Sequence, residues 1–103
     1  METKNFTTSE RQSLTSLYYQ RAEIYCQLKQ YNKSIDDLNK IITLNDSVQP
    51  EIYRKLALCY DNTGNIQGTM ENMILAAKQG DTTAKDYIKD LGYFLEDEYN
   101  QLF

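Results

Sequence analysis

The chain has no tryptophan and no histidine, one proline, four glycines and two cysteines among 103 residues. Each scarcity removes a class of structure or chemistry. Proline and glycine punctuate turns, so their near absence argues against the frequent reversals of a sandwich or barrel and for long helices. Without histidine there is no side chain that titrates near neutrality as a general base, and the commonest metal ligand is missing. Cys26 and Cys59 lack Cys-x-x-Cys spacing and read as reduced thiols packed as small apolar groups. A nucleophile elbow, a phosphate-binding glycine loop and paired metal ligands are also missing, and Asp36-Asp37 and Glu96-Asp97-Glu98 read as helix-surface carboxylates with no partner acid or base. The chain is therefore not expected to be an enzyme, nor to hold a cofactor or a metal. No apolar run approaches the ~20 residues that cross a bilayer, and Met1 to Ser9 lacks the apolar core of a secretory signal. The expectation is a cytoplasmic protein with no membrane contact.

Aliphatic and aromatic residues make up 41% of the chain and charged residues 25%, an ordinary balance for one globular domain. The net charge of −4 is unevenly placed. Basic and acidic side chains balance over residues 1–80, and the whole excess lies beyond Gly80, where Lys85 and Lys89 face six carboxylates. An acidic end repels phosphates, so nucleic acid is not an expected partner.

What is present is a repeat. An offset of 35 aligns Tyr18 with Tyr53, Ala22 with Ala57 and Tyr25 with Tyr60; a second step reaches Ile88, Gly92 and Leu95. The same offset pairs Tyr31 with Ile66, Ile35 with Met70, Leu38 with Met73 and Ile42 with Ala77. Steps of three and four link Leu14, Leu17, Tyr18, Ala22, Tyr25 and Leu28, and again Tyr31, Ile35, Leu38 and Ile42, as on the buried face of a helix. Thr7 with Glu10 forms a capping box, Pro50 suits a first helical turn, and Gly64-Asn65 and Gly80-Asp81 end one helix and open the next. Five helices are predicted, over 8–29, 32–44, 50–62, 66–79 and 82–101. The short connections make neighbours antiparallel.

These residues resemble the tetratricopeptide repeat. In the second unit Tyr53, Leu56-Ala57, Tyr60, Gly64-Asn65 and Ala76 occupy its characteristic sites, whereas in the first Arg21 replaces the usual Leu and Ser34 the usual Ala. The stretch Ala76 to Asp81, leading to Ala84 and Leu91-Gly92, also resembles the related Sel1-like repeats. The resemblance implies an all-α fold, an α-α superhelix of two antiparallel hairpins plus a C-terminal capping helix. It implies one domain over residues 1–103, with repeats at about 15–48 and 50–81 and the cap at about 82–101.

In that family the first helix of each hairpin lines a concave groove that binds a peptide or helix of a partner protein. Carried onto this chain, the groove would hold Tyr19, Gln20, Glu23 and Gln27, then Arg54, Lys55, Leu58 and Asn62, then Asp86, Lys89, Asp90 and Tyr93. The family's clamp for acidic chaperone tails is not matched, because its positions hold Tyr19, Glu23, Lys55, Asp86 and Asp90, and carboxylates repel a carboxylate tail. The expected function is an adaptor or scaffold that binds another protein. Two alternatives stand beside it: a homodimer formed through the last helix, where Ile88, Leu91, Leu95, Tyr99 and Leu102 form one apolar stripe and Tyr87, Tyr93, Phe94 and Phe103 lie off it, and a small bacterial chaperone or immunity-type protein that masks a partner.

Overall fold

The computed structural model of the chain describes residues 6–90. They form five helices: α1 (Thr8–Gln27), α2 (Tyr31–Leu44), α3 (Pro50–Asn62), α4 (Ile66–Lys78) and α5 (Thr82–Asp90), with no strand among the described residues. The fold is all-α. Boundaries fall within two residues of the spacing-based expectation through α4, and the stretch 91–101 expected to extend α5 lies outside the described residues.

Local chemistry accounts for the ends. Thr7 Oγ1 accepts from the Glu10 amide at 3.1 Å while Glu10 Oε1 accepts from the Thr7 amide at 2.8 Å, satisfying two orphan donors at once. Pro50 sits in the first turn of α3, and Asn65 Oδ1 accepts from the Gly68 amide at 2.9 Å to open α4. Three helices end alike. After α3 and α4, Gly64 (φ 80°) and Gly80 (φ 98°) adopt the left-handed conformation, and the next amide returns to a carbonyl of the last turn. After α1 the same turn is made by Lys29 at φ 61°, whose neighbour Gln30 donates to the Tyr25 carbonyl at 2.8 Å. Lys29 stands 35 residues before Gly64, and the two make the same left-handed turn with different residues.

The chain divides into two compact units, residues 1–48 and 49–103. In the first, α1 packs on α2. Ala22 is the one buried residue of α1; α2 buries Ile35, Leu38, Ile41 and Leu44 together with Ser34 and Asp37. In the second unit α4 packs on both α3 and α5. Ala57, Met73, Ala76, Ala77, Ala84 and Ile88 form its core, with Tyr53, Ile74 and Tyr87 half-buried against it. Small residues recur where the helices meet because side-chain bulk would hold them apart. Gly68 has the same role beside Tyr60, since a Cβ there would lie 2.7 Å from Tyr60 Cγ.

Candidate protein-binding surface

Every side chain of the expected groove has a place in the structure except Tyr93, which lies outside the described residues. On α1, Gln20 and Gln27 are exposed and Tyr19 and Glu23 half-buried. On α3, Leu58 and Asn62 are exposed and Arg54 and Lys55 half-buried; on α5, Asp86, Lys89 and Asp90 are exposed. Arg54 is engaged structurally. Its Nε donates to Asp81 Oδ2 at 3.1 Å, while Asp81 Oδ1 accepts from the Ala84 amide at 2.9 Å. One carboxylate thus caps α5 and ties it to α3, so Arg54 carries structural duty in any surface it belongs to. Asn62 Nδ2 likewise donates to its own helix at the Leu58 carbonyl.

The first helix departs most from the sequence expectation. Spacing groups its apolar residues as one buried face, yet Leu17 and Leu28 are 62% and 60% exposed, and Ile24 beside them 54%. At about 100° per residue, Leu14, Leu17, Tyr18, Arg21, Ala22, Ile24, Tyr25 and Leu28 spread over an arc of roughly 160°. One neighbouring helix cannot cover that width. Ala22 occupies the covered edge, Leu14, Tyr18 and Tyr25 are half-buried, and Leu17, Ile24 and Leu28 form the open edge. Leu14, Leu17, Tyr18, Gln20, Arg21 and Ile24 line a shallow hollow of about 430 Å³. A second, of about 460 Å³, is walled by Phe6, Leu14, Tyr18, Lys40, Thr43 and Leu44.

Arg21 stands at the centre of the stripe. Its Nε and Nη2 donate to the two carboxylate oxygens of Asp37 at 2.8 and 2.7 Å, and its guanidinium lies 5.7 Å from the ring centroids of both Tyr18 and Tyr25. Lys40 stands 5.2 Å from the Tyr18 ring and Lys33 5.7 Å from that of Tyr25. The hydrogen bond to Asp37, then the Asp37 charge, raises the Arg21 pKa above its already high ordinary value. Asp37, expected to be a solvated surface carboxylate without a partner, is buried, with its side chain 2% exposed. The reason is the departure from the repeat pattern: Arg21 stands where the second unit has the buried Leu56 and brings a counter-charge for a carboxylate on α2. Ser34 is buried and donates to the Ala22 carbonyl at 2.9 Å, with Cys26 Sγ 3.3 Å from its Oγ.

The open stripe has a signal in the sequence. Leu14, Leu17, Arg21, Ile24 and Leu28 follow alternating steps of three and four, the seam of a coiled coil, displaced around the helix from the set that contains Ala22. No cluster of metal-ligating side chains occurs among the described residues, and none of the described helices is long and apolar enough to cross a membrane. Comparison with family models, curated proteins and solved structures finds no match to the chain.

Proposed function

We propose that the chain is a protein-protein interaction module, a tetratricopeptide-like adaptor or scaffold without catalytic activity that binds a peptide or helix of a partner in a cytoplasmic setting. The observation that carries this reading is the open edge of α1. Three large aliphatic side chains stand in solvent along one line, around an arginine whose orientation Asp37 and two tyrosines hold. Single exposed leucines are common on soluble proteins, but an aligned set at seam spacing has the form that receives another helix. The phased recurrence of Tyr18, Ala22 and Tyr25 at Tyr53, Ala57 and Tyr60 supports the repeat assignment.

The test compares affinity capture from the native lysate by the parent chain, by Leu17→Glu with Ile24→Glu, and by Lys55→Glu with Leu58→Glu on α3. Loss of a specific partner in either variant, with helical circular dichroism unchanged, supports the reading and identifies the face in use. A chain that captures nothing and shows no self-association at high concentration would sink it.

A further inference from the structure

We propose that the open edge of α1 receives an acidic amphipathic helix of a partner protein, one whose apolar seam is interrupted by a carboxylate opposite Arg21 and bordered by carboxylates on the side of Lys33 and Lys40. This rests on the protein-binding reading and names the chemistry of the partner.

The repeat shows what such an edge is suited to. The residues 35 positions on from Leu17, Arg21 and Ile24 are Ile52, Leu56 and Cys59 of α3, and all three are buried. On α1, Leu17 and Ile24 stand open and the Arg21 side chain is 50% exposed. The same helical positions are covered on one helix and bare on the other, and the bare set keeps its large aliphatic groups. From Leu14 to Leu28 the edge runs about 21 Å, roughly four turns.

Charge decides what the covering helix must carry. Lys33 lies over Tyr25 and Lys40 over Tyr18, so two ammonium groups two turns apart on α2 stand along one border of the stripe. Both are exposed, and neither forms an ion pair among the described residues. The opposite border holds Ser13, Gln20 and Gln27, exposed and uncharged. The carboxylates of α1 and α2 leave this charge in place. Glu10 is committed to the N-cap, Glu23 lies about 140° around α1 from the stripe, Asp37 is engaged by Arg21, and Asp36 follows the lysines on the side away from Asp37.

Arg21 sits within the seam itself. Asp37 takes its Nε and Nη2, and Nη1 stays outside that fork. An aliphatic residue packed on this guanidinium strips water from the remaining donors and gives them no acceptor, whereas a carboxylate satisfies them. Between Leu14 and Leu28 the edge has one acidic residue, Glu23, on the other side of the helix, so a second copy of the stripe set against it leaves the arginine unmatched.

The probe is a designed peptide of about three heptads, stapled on its solvent face, with a leucine seam, glutamate at the central seam position and glutamates along both flanks. A control peptide carries lysine for every glutamate. Fluorescence anisotropy should show the parent chain binding the glutamate peptide and not the lysine peptide. Leu17→Glu with Ile24→Glu should abolish binding with helical circular dichroism retained. Lys33→Glu with Lys40→Glu should weaken the glutamate peptide by roughly tenfold and strengthen the lysine peptide. A parent chain that binds neither peptide, or both alike, overturns the proposal, and so does a stripe variant that still binds. A dimer that Leu17→Glu with Ile24→Glu dissolves would give the edge to a second copy, and uptake by phosphatidylserine vesicles without peptide binding would give it to a membrane; either overturns the proposal. If no peptide binds and the stripe variant still loses a lysate partner, the acidic helix fails and the adaptor reading stands.

Discussion

Arg21 and Asp37 show how one departure from a repeat pattern changes the chemistry of a hairpin. In the second unit Leu56 fills the corresponding site as a buried aliphatic group, whereas in the first a guanidinium spans α1 and α2 to a buried carboxylate. Breaking such a pair from one side strands a buried charge, while neutralising both members does not. Arg21→Leu should therefore lower the melting temperature, and Arg21→Leu with Asp37→Asn should recover most of the loss, as read by thermal circular dichroism. The pair also has a defined pH behaviour. The folded-state pKa of Arg21 is raised, so its contribution is fully present below the ordinary arginine range and lost only as pH rises beyond it. Melting temperatures measured between about pH 7 and pH 10 should show no fall attributable to this pair.

Lys29 is the other residue that differs in kind from its counterpart 35 positions on, Gly64. A non-glycine residue in the left-handed region is strained by about 1–2 kcal/mol, and glycine returns part of that gain through its freer unfolded chain. Lys29→Gly should raise unfolding free energy by roughly 0.5–1 kcal/mol in urea titration. Gly68 shows the opposite sign. A methyl there meets the root of the Tyr60 ring at 2.7 Å, a place that side-chain flexing does not relieve. Gly68→Ala should cost about 1–3 kcal/mol despite alanine's better helix propensity, and the same step made in a Tyr60→Ala background, which lacks the Cγ, should cost less.

Among the described elements, α1 is the longest helix and the one that buries least, a single alanine. Polar ties hold it to α2 instead: Arg21 to Asp37, Ser34 to the Ala22 carbonyl, and Asn45 Nδ2 to Thr15 Oγ1 at 3.0 Å. A helix fastened along one edge keeps the other free for a partner. α5 is held differently, by Ala84 and Ile88 in the core and by Asp81 at its start. Asp81→Ala should cost about 1 kcal/mol from the lost cap. Arg54→Glu should also lower the melting temperature, because it sets a second carboxylate against Asp81.

For the whole molecule, self-association through the open edge of α1 would tie stability to concentration. If two copies associate there, the melting temperature should rise with protein concentration, by mass action on the folded dimer. The Leu17→Glu, Ile24→Glu variant should melt at one temperature at every concentration. Calorimetry over a hundredfold dilution series reads both.

Much of the architecture is legible in the amino-acid sequence alone. The 35-residue recurrence, the Thr7-Glu10 box, Pro50, Gly64 and Gly80 determine an all-α chain of five helices and most of their limits, because caps and turns are local chemistry. Helical spacing on α1 establishes that its apolar arc exists, but not which edge is covered, since spacing carries no information about the neighbour. Tertiary packing decides that α2 covers the Ala22 edge and leaves Leu17, Ile24 and Leu28 open. It also decides that Asp37 is buried against Arg21 and that Arg54 is spent on Asp81. Those outcomes depend on residues 16 and 27 positions apart meeting across a helix pair, a proximity set by packing rather than by any local pattern.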